Sequence, residues 1–163
     1  MLYRQLPLLF FILLILGCSN QPDFTSLESD VQTLIDDFDG QVGVYVKHIP
    51  SGQEFGIDAD TLFPTASMIK VPIMVTIFDR IDRGELDYHA DLVYKDSLFY
   101  SDGDVIGELR DSATVPLDQV QLLSITNSDN TASLWLQELA GRGEAINEWL
   151  AEHGFEGTRM NSR

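Results

Sequence analysis

One segment of this sequence, Met68–Phe78, constrains the fold more than any other. Its 11 residues are almost all apolar, which is too long a run for one strand, and apolar side chains would occupy every side of a helix. A helix of that kind has to be buried, so other elements must surround it. The 163 residues of the chain are enough for one ordinary domain with a sizeable core.

Before this segment the sequence predicts a helix followed by a β-hairpin. Apolar residues recur with helical spacing up to Gly40, which ends the helix. These residues are Leu27, Val31, Leu34, Ile35 and Phe38. Alternating valines over Val42–Val46 predict a strand, Pro50–Gly52 a turn, and Gln53–Ile57 a second strand. A sheet of only two strands is marginal on its own, so we expect this chain to be the N-terminal part of a longer protein.

After the apolar segment the sequence predicts further helices. The segment Asp87–Ala113 is irregular and acidic, which indicates a surface excursion. Pro116 can occupy the first turn of a helix that runs to Thr126. Two more helices follow, ended by Gly141 and Gly154.

The N-terminus has the features of an export signal. Within residues 1–17, Arg4 precedes an apolar run over Leu8–Leu16, which is too short to span a bilayer. The run leads to Cys18, the single cysteine of the chain, in a sequence that resembles a bacterial lipobox. This predicts an exported lipoprotein of the periplasm or cell envelope, and Ser19 after the cysteine is compatible with the outer membrane. The alternative is a plain secretory signal that happens to end near a cysteine.

Composition excludes several classes of function. The chain has 26 Asp+Glu against 10 Lys+Arg, a formal net charge of −16 that repels phosphate backbones, so we expect no nucleic-acid partner. Its histidines, His48, His89 and His153, are scattered, and no Cys/His cluster has zinc spacing. We therefore expect neither a metal site nor an organic cofactor.

Lys70 is the only charged residue between Thr65 and Asp79, inside the apolar segment. Burial disfavours a charged amine, which lowers its pKa and can leave a neutral base near pH 7. Ser67 lies three residues earlier, on the same face of a helix and near the predicted helix start, where free N–H groups favour an oxyanion. The alternative is a capping serine followed by a lysine that extends to the surface.

A second cluster, Ser128-Asp129-Asn130, lies between two predicted helices, the second of which begins near Asp129. A serine hydroxyl can pass a proton to a leaving nitrogen, and an asparagine amide can bind a substrate carbonyl. Asp129 could accept backbone N–H donors and hold the turn. The alternative is a structural role, since Ser, Asp and Asn are also preferred at helix caps and turns.

Together the two clusters resemble the class A β-lactamase and penicillin-recognising serine hydrolase family. The resemblance rests on Ser67-Met68-Ile69-Lys70 and on Ser128-Asp129-Asn130, which begins 61 residues after Ser67. The flanking sequences Phe63–Ala66 and Asn130–Ala132 agree with it. It extends over roughly residues 25–163, which is essentially all of the chain after the signal.

The resemblance implies a role for each motif residue. Ser67 is the acylated nucleophile and its backbone N–H one oxyanion donor, Lys70 is its base, and Ser128 returns a proton to the departing nitrogen. Asn130 anchors the acyl side-chain amide of the substrate. Tyr100, or its neighbour Phe99, falls where the family has an aromatic wall, and Asp129 is structural.

The implied fold is α+β, with an antiparallel five-stranded sheet lobe and an all-α lobe. The corresponding divisions are a signal peptide (1–17), a tether (18–24), the N-terminal part of the sheet lobe (25–64) and the α lobe (65–163), truncated at the start of the omega loop. We expect this chain to hold the first two strands and most of the α lobe.

Two parts of the family pattern are not in this sequence. There is no Lys-Thr-Gly, and the glutamate that activates the deacylating water would fall near position 164. In addition, Asn161-Ser162 departs from the Arg-Leu-Asp-Arg that commonly precedes that glutamate. These 163 residues alone are therefore expected to be inactive.

Three functions remain as hypotheses. The first is a monomeric serine β-lactamase that is acylated by β-lactams and hydrolyses the lactam amide. The second is a penicillin-binding protein or related serine hydrolase that deacylates poorly. The third is a non-catalytic lipoprotein that binds a ligand or a partner.

Overall fold

The structure is a computed structural model that describes residues 23–161. The predicted signal segment and Cys18 lie outside the described residues. The chain divides into two compact units, one up to Thr61 and the other from Leu62 onward. Among the described helices, none is long and apolar enough to cross a bilayer.

The first unit contains a helix and the predicted hairpin. Helix α1 spans Thr25–Asp36, and strands β1 (Val44–Lys47) and β2 (Glu54–Ile57) pair antiparallel. The turn between the strands contains Gly52, whose φ of +72° favours glycine. The hairpin prediction is confirmed, although the helix ends at Asp36, before Gly40.

The second unit is built around the apolar segment. A 3-10 turn over Ala66–Ile69 leads into helix α2 (Lys70–Asp82). The buried residues of this helix are Lys70, Ile73, Thr76 and Ile77. The expectation of burial on every side is wrong, because Val71, Val75 and Phe78 on the other faces are exposed. The buried residues recur every three or four positions, so the helix buries one face.

The segment predicted as a surface excursion is largely exposed, but it also contributes buried side chains to the core. Its strand β3 (Asp91–Val93) pairs antiparallel with β4 (Thr114–Pro116), and two 3-10 turns, at 96–98 and 106–108, lie between them. Tyr94, Leu98 and Ile106 are buried. The sequence did not predict these three buried residues, because they are too widely spaced to show either a helical or a strand period.

Three helices complete the second unit. They are α3 (Leu117–Thr126), α4 (Asn130–Leu139) and α5 (Arg142–Glu152), which confirms the predicted succession. Pro116, however, is the last residue of β4 and has an extended conformation with ψ of 143°, so it precedes the helix instead of forming its first turn. Buried apolar residues of the helices form one cluster. Its largest fully buried helical members are Ile73, Ile77, Leu117, Val120, Leu136 and Ile146.

Candidate active site

Ser67 and Lys70 lie at the junction between the 3-10 turn and α2. Ser67 belongs to the turn and Lys70 is the first residue of the α-helix, with 3.4 Å between Ser67 Oγ and Lys70 Nζ. The sequence predicts Ser67 near the start of the helix, and the structure has it in the 3-10 turn that directly precedes the first α-helical residue. Ser67 is exposed whereas Lys70 is buried, so an accessible hydroxyl lies beside a sequestered amine.

The loop between α3 and α4 brings Ser128 to this pair. The Ser128 hydroxyl donates to Ser67 Oγ at 2.9 Å, and Lys70 Nζ donates to Ser128 Oγ at 2.8 Å. Lys70 also donates to the Ser128 carbonyl and, at 2.8 Å, to Asn130 Oδ1. Ser67, Lys70, Ser128 and Asn130 therefore meet at one point, and Ser128 bridges the other hydroxyl and the amine.

Two residues of the site, Ala66 and Ser128, have unfavourable backbone conformations. Ala66, just before Ser67, has a φ of +44°, and Ser128 has a φ of +53°. Residues with a β-carbon rarely adopt this left-handed region, and each such residue costs about 1–3 kcal/mol. The surrounding contacts must hold both residues in place, as occurs at many functional sites.

The protonation of Lys70 is set by opposing effects. Burial lowers the pKa of the Lys70 amine because it removes water from the ammonium ion, while the carboxylates of Asp104 and Asp129 partly oppose this shift. The net direction is downward, which increases the fraction of neutral amine at a given pH. A neutral amine in contact with hydroxyl groups can accept a proton.

Two carboxylates organise the N-terminus of α4. Asp129 caps the helix, since its Oδ1 accepts from Ala132 N at 2.7 Å, and its Oδ2 accepts from Ile106 N at 2.9 Å. Asp104 is also buried and accepts from Asn130 N at 3.0 Å. Asp104 was not anticipated from the sequence, because an acidic residue in an irregular acidic segment is indistinguishable from a solvated one.

A cleft of about 340 Å³ opens beside Ser67 and Lys70. Tyr100 and Asn130 line it, and the backbone N–H of Tyr100 donates to Thr131 Oγ1 at 3.1 Å. Apolar side chains also line the cleft: Ile69, Ile73, Leu134 and Met160. Within residues 23–161 no three His, Cys, Asp or Glu residues are grouped so that they could hold a metal ion. The cleft thus presents a hydroxyl, a buried amine and an amide to a molecule of limited size.

This arrangement of hydroxyl, amine and second hydroxyl has the components of a serine nucleophile with its base. Comparison with known proteins agrees with this interpretation. The model of the beta-lactamase enzyme family matches residues 26–163, and the chain belongs to this family.

Individual relatives share part of the sequence. The chain is 32% identical over 111 residues to the beta-lactamase regulatory protein BlaB of Streptomyces cacaoi, covering 68% of this chain and 35% of that protein. It is 23% identical over 156 residues to beta-lactamase CARB-4 of Pseudomonas aeruginosa, covering 94% of this chain and 54% of that one. The chain thus spans between about a third and a half of these curated relatives.

Solved structures share the fold. The structure of PBP-A matches with a TM-score of 0.78 and 26% identity, over 87% of this chain and 54% of that chain. A beta-lactamase from Chitinophaga pinensis matches with a TM-score of 0.79 and 18% identity, over 85% and 52% of the two chains. The predicted β-lactamase-like fold is therefore confirmed, and the described residues additionally contain the short β3–β4 ladder.

Proposed function

We propose that the protein is a serine hydrolase that is acylated at Ser67 by β-lactams and hydrolyses the lactam amide. The observation that carries this proposal is the chain of contacts from Ser67 Oγ through Ser128 Oγ to Lys70 Nζ, at 2.9 and 2.8 Å. If Ser67 only capped the helix and Lys70 only extended to the surface, no third side chain would be required to bridge them. The family to which the chain belongs supports the β-lactam as the substrate class.

In the proposed reaction Ser67 Oγ attacks the lactam carbonyl carbon while its proton passes to Lys70. The proton can move directly or through Ser128, whose hydroxyl donates one hydrogen as it accepts another. The tetrahedral intermediate then collapses, the C–N bond breaks, and the nitrogen takes a proton from Lys70 through Ser128. The product is an ester on Ser67, which water hydrolyses to release the acid and restore the serine.

The substrate is expected to lie in the cleft beside these groups. The Asn130 amide is suited to bind the acyl side-chain amide of the substrate, and Tyr100 forms part of the wall against which it packs. The structure of a PBP-A mutant that is 27% identical to this chain is an acyl-enzyme complex with penicillin G. That complex supports penicillins as the first ligands to test.

The direct test is covalent labelling of the full-length protein with a fluorescent penicillin, followed by mass spectrometry of its peptides. We expect one acyl adduct per molecule, on the peptide that contains Ser67. A folded protein that takes up no label would reject the proposal and favour a non-catalytic, ligand- or partner-binding role. The similarity to a regulatory protein gives that role its support.

A second candidate is a penicillin-binding protein or related hydrolase that releases its acyl group slowly. The departure of Asn161-Ser162 from the Arg-Leu-Asp-Arg pattern favours it, and so does the similarity to PBP-A. Release of the label distinguishes the two functions. An adduct that persists over hours supports the second candidate, whereas loss within seconds supports the first.

We expect Ser128→Ala to slow acylation by about 10²-fold, the lower end of the range for lost acid–base help. The loss is limited because water can partly replace a relay hydroxyl and the 3.4 Å direct path to Lys70 remains. Stopped-flow measurement of label uptake gives the rate. The control is Thr126→Ala, which removes an exposed hydroxyl from the end of α3. An unchanged rate in the Ser128 variant would exclude the relay.

For localisation we propose a monomeric lipoprotein of the cell envelope, anchored through Cys18. The basis is the sequence around Cys18 and the acidic character of the chain. We expect Cys18→Ala to move the protein from the membrane fraction to the soluble fraction, as followed by fractionation and intact mass. A wild-type protein that is already soluble and retains residues 1–17 would contradict the anchor.

A further inference from the structure

Asp104 is a buried carboxylate that four hydrogen bonds surround. Its Oδ1 accepts from Asn130 N at 3.0 Å, and its Oδ2 accepts from Thr131 N at 2.9 Å and from Thr131 Oγ1 at 2.8 Å. Ser101 Oγ donates to the same Oδ2 at 3.0 Å. Burial raises the pKa of the Asp104 carboxyl, but these hydrogen bonds outweigh burial and hold the pKa below its ordinary value. The group is therefore an anion inside the fold.

These contacts join a loop to a helix. Ser101 and Asp104 belong to the loop that carries Tyr100, whereas Asn130 and Thr131 form the first turn of α4. Thr131 Oγ1 completes the connection, since it donates to Asp104 and accepts from the backbone N–H of Tyr100 at 3.1 Å. Asp104 thereby fixes the aromatic wall of the cleft and the N-terminus of α4 relative to each other.

The first turn of α4 carries the amide that contacts Lys70. Asn130 Oδ1 accepts from Lys70 Nζ at 2.8 Å, and its backbone N–H is the group that Asp104 holds. A shift of about 1 Å in a catalytic site can cost as much as 10² in rate. A carboxylate that determines the position of Asn130 can therefore influence the reaction without touching the substrate.

We propose that Asp104 is a positioning residue for the acylation of Ser67, because it fixes Asn130 against Lys70 and Tyr100 against the cleft. This inference rests on the proposed function.

The charge of Asp104 affects the pH dependence of acylation, which a purely structural role would leave unchanged. Among the residues that the structure describes, two carboxylates act on Lys70: Asp104 from the loop and Asp129 from the cap of α4. Both raise the pKa of Lys70 against the larger lowering by burial. Removing the charge of Asp104 lowers that pKa further, so the acid limb of the acylation rate moves to lower pH.

The test is Asp104→Asn, measured as label uptake against pH in the full-length protein with a fluorescent penicillin. The amide keeps the shape but loses the charge, and its NH₂ group faces a backbone N–H that formerly had an acceptor. We expect the plateau rate to fall by about 10- to 100-fold, with the acid limb displaced to lower pH. The matched control is Asp102→Asn in the same loop, which removes an exposed charge. We expect it to change neither the plateau rate nor the position of the acid limb.

The outcomes separate the inference from the proposed function. If the wild type takes up no label, the proposed function fails. If the wild type is labelled and Asp104→Asn either matches it or is slowed with an unmoved acid limb, the positioning role is rejected. Should Asp104→Asn not fold, Thr131→Val keeps the carboxylate and removes one donor to it. We then expect slower labelling with an unmoved acid limb, and a wild-type rate in that variant overturns the inference.

Discussion

Ser67→Ala is expected to abolish covalent labelling by a fluorescent penicillin in the full-length protein. The Ser67 hydroxyl is exposed, lines the cleft and contacts the buried amine, and alanine has no atom that can attack a carbonyl. Ser128 retains a hydroxyl in the variant, but in the structure this hydroxyl accepts a hydrogen bond from Lys70 Nζ and donates one to Ser67 Oγ, which is the position of the proposed relay. Gel fluorescence and intact mass, after an incubation long enough to saturate the wild type, measure the result.

The control for this variant is Ser97→Ala, which removes an exposed hydroxyl from the 96–98 turn and is expected to label at the wild-type rate. We expect Ser67→Ala to retain reversible affinity for penicillin, and a competition binding measurement checks this. Strong labelling of the Ser67→Ala variant would show that another residue is the nucleophile and would contradict the proposed mechanism.

Lys70→Ala is expected to slow acylation by about 10²–10⁴-fold, the usual contribution of a general base. The lysine lies in contact with Ser67, Ser128 and Asn130, and burial lowers its pKa, so the neutral amine becomes available below the pH at which an ordinary lysine deprotonates. In the wild type the rate should therefore rise with pH as Lys70 loses its proton. In the variant this rise should disappear.

Lys70→Arg distinguishes the role of Lys70 as a base from the role of its positive charge. Arginine stays protonated throughout the accessible pH range, so it keeps a cation in the site but cannot accept the proton of Ser67. We expect it to be as slow as the alanine variant and equally insensitive to pH. Lys95→Ala, which removes an exposed lysine, is the control for loss of charge. A Lys70→Arg variant with wild-type acylation would mean that Lys70 acts through its charge alone.

Local features of the sequence were sufficient for much of the second unit. The succession of helices after the apolar segment was predicted correctly because caps and glycines mark helix ends over a few residues. Gly141, for example, has a φ of +96° directly after the last turn of α4. The sequence left two outcomes for Lys70, burial or extension of its side chain to the surface, and the structure shows burial.

The extent of burial could not be predicted locally. The apolar residues of α2 occupy every side of the helix in sequence, yet Ile73 and Ile77 are buried while Val71 and Val75 are exposed. Which side faces the core depends on where the other helices of the unit pack. The same reason explains Tyr94 and Leu98, which have no local period but lie in the core.

By itself the sequence determined the components of the site: a hydroxyl and an amine three residues apart, and a second cluster beginning 61 residues after Ser67. Only the tertiary structure decided how they meet, with Ser128 placed 2.9 Å from Ser67 and bonded to Lys70. It alone assigned a role to Asp104, whose donors on α4 lie 26 and 27 residues away. Spacing along a helix determines which side chains share a face, whereas partners distant in sequence are determined by packing of the whole unit.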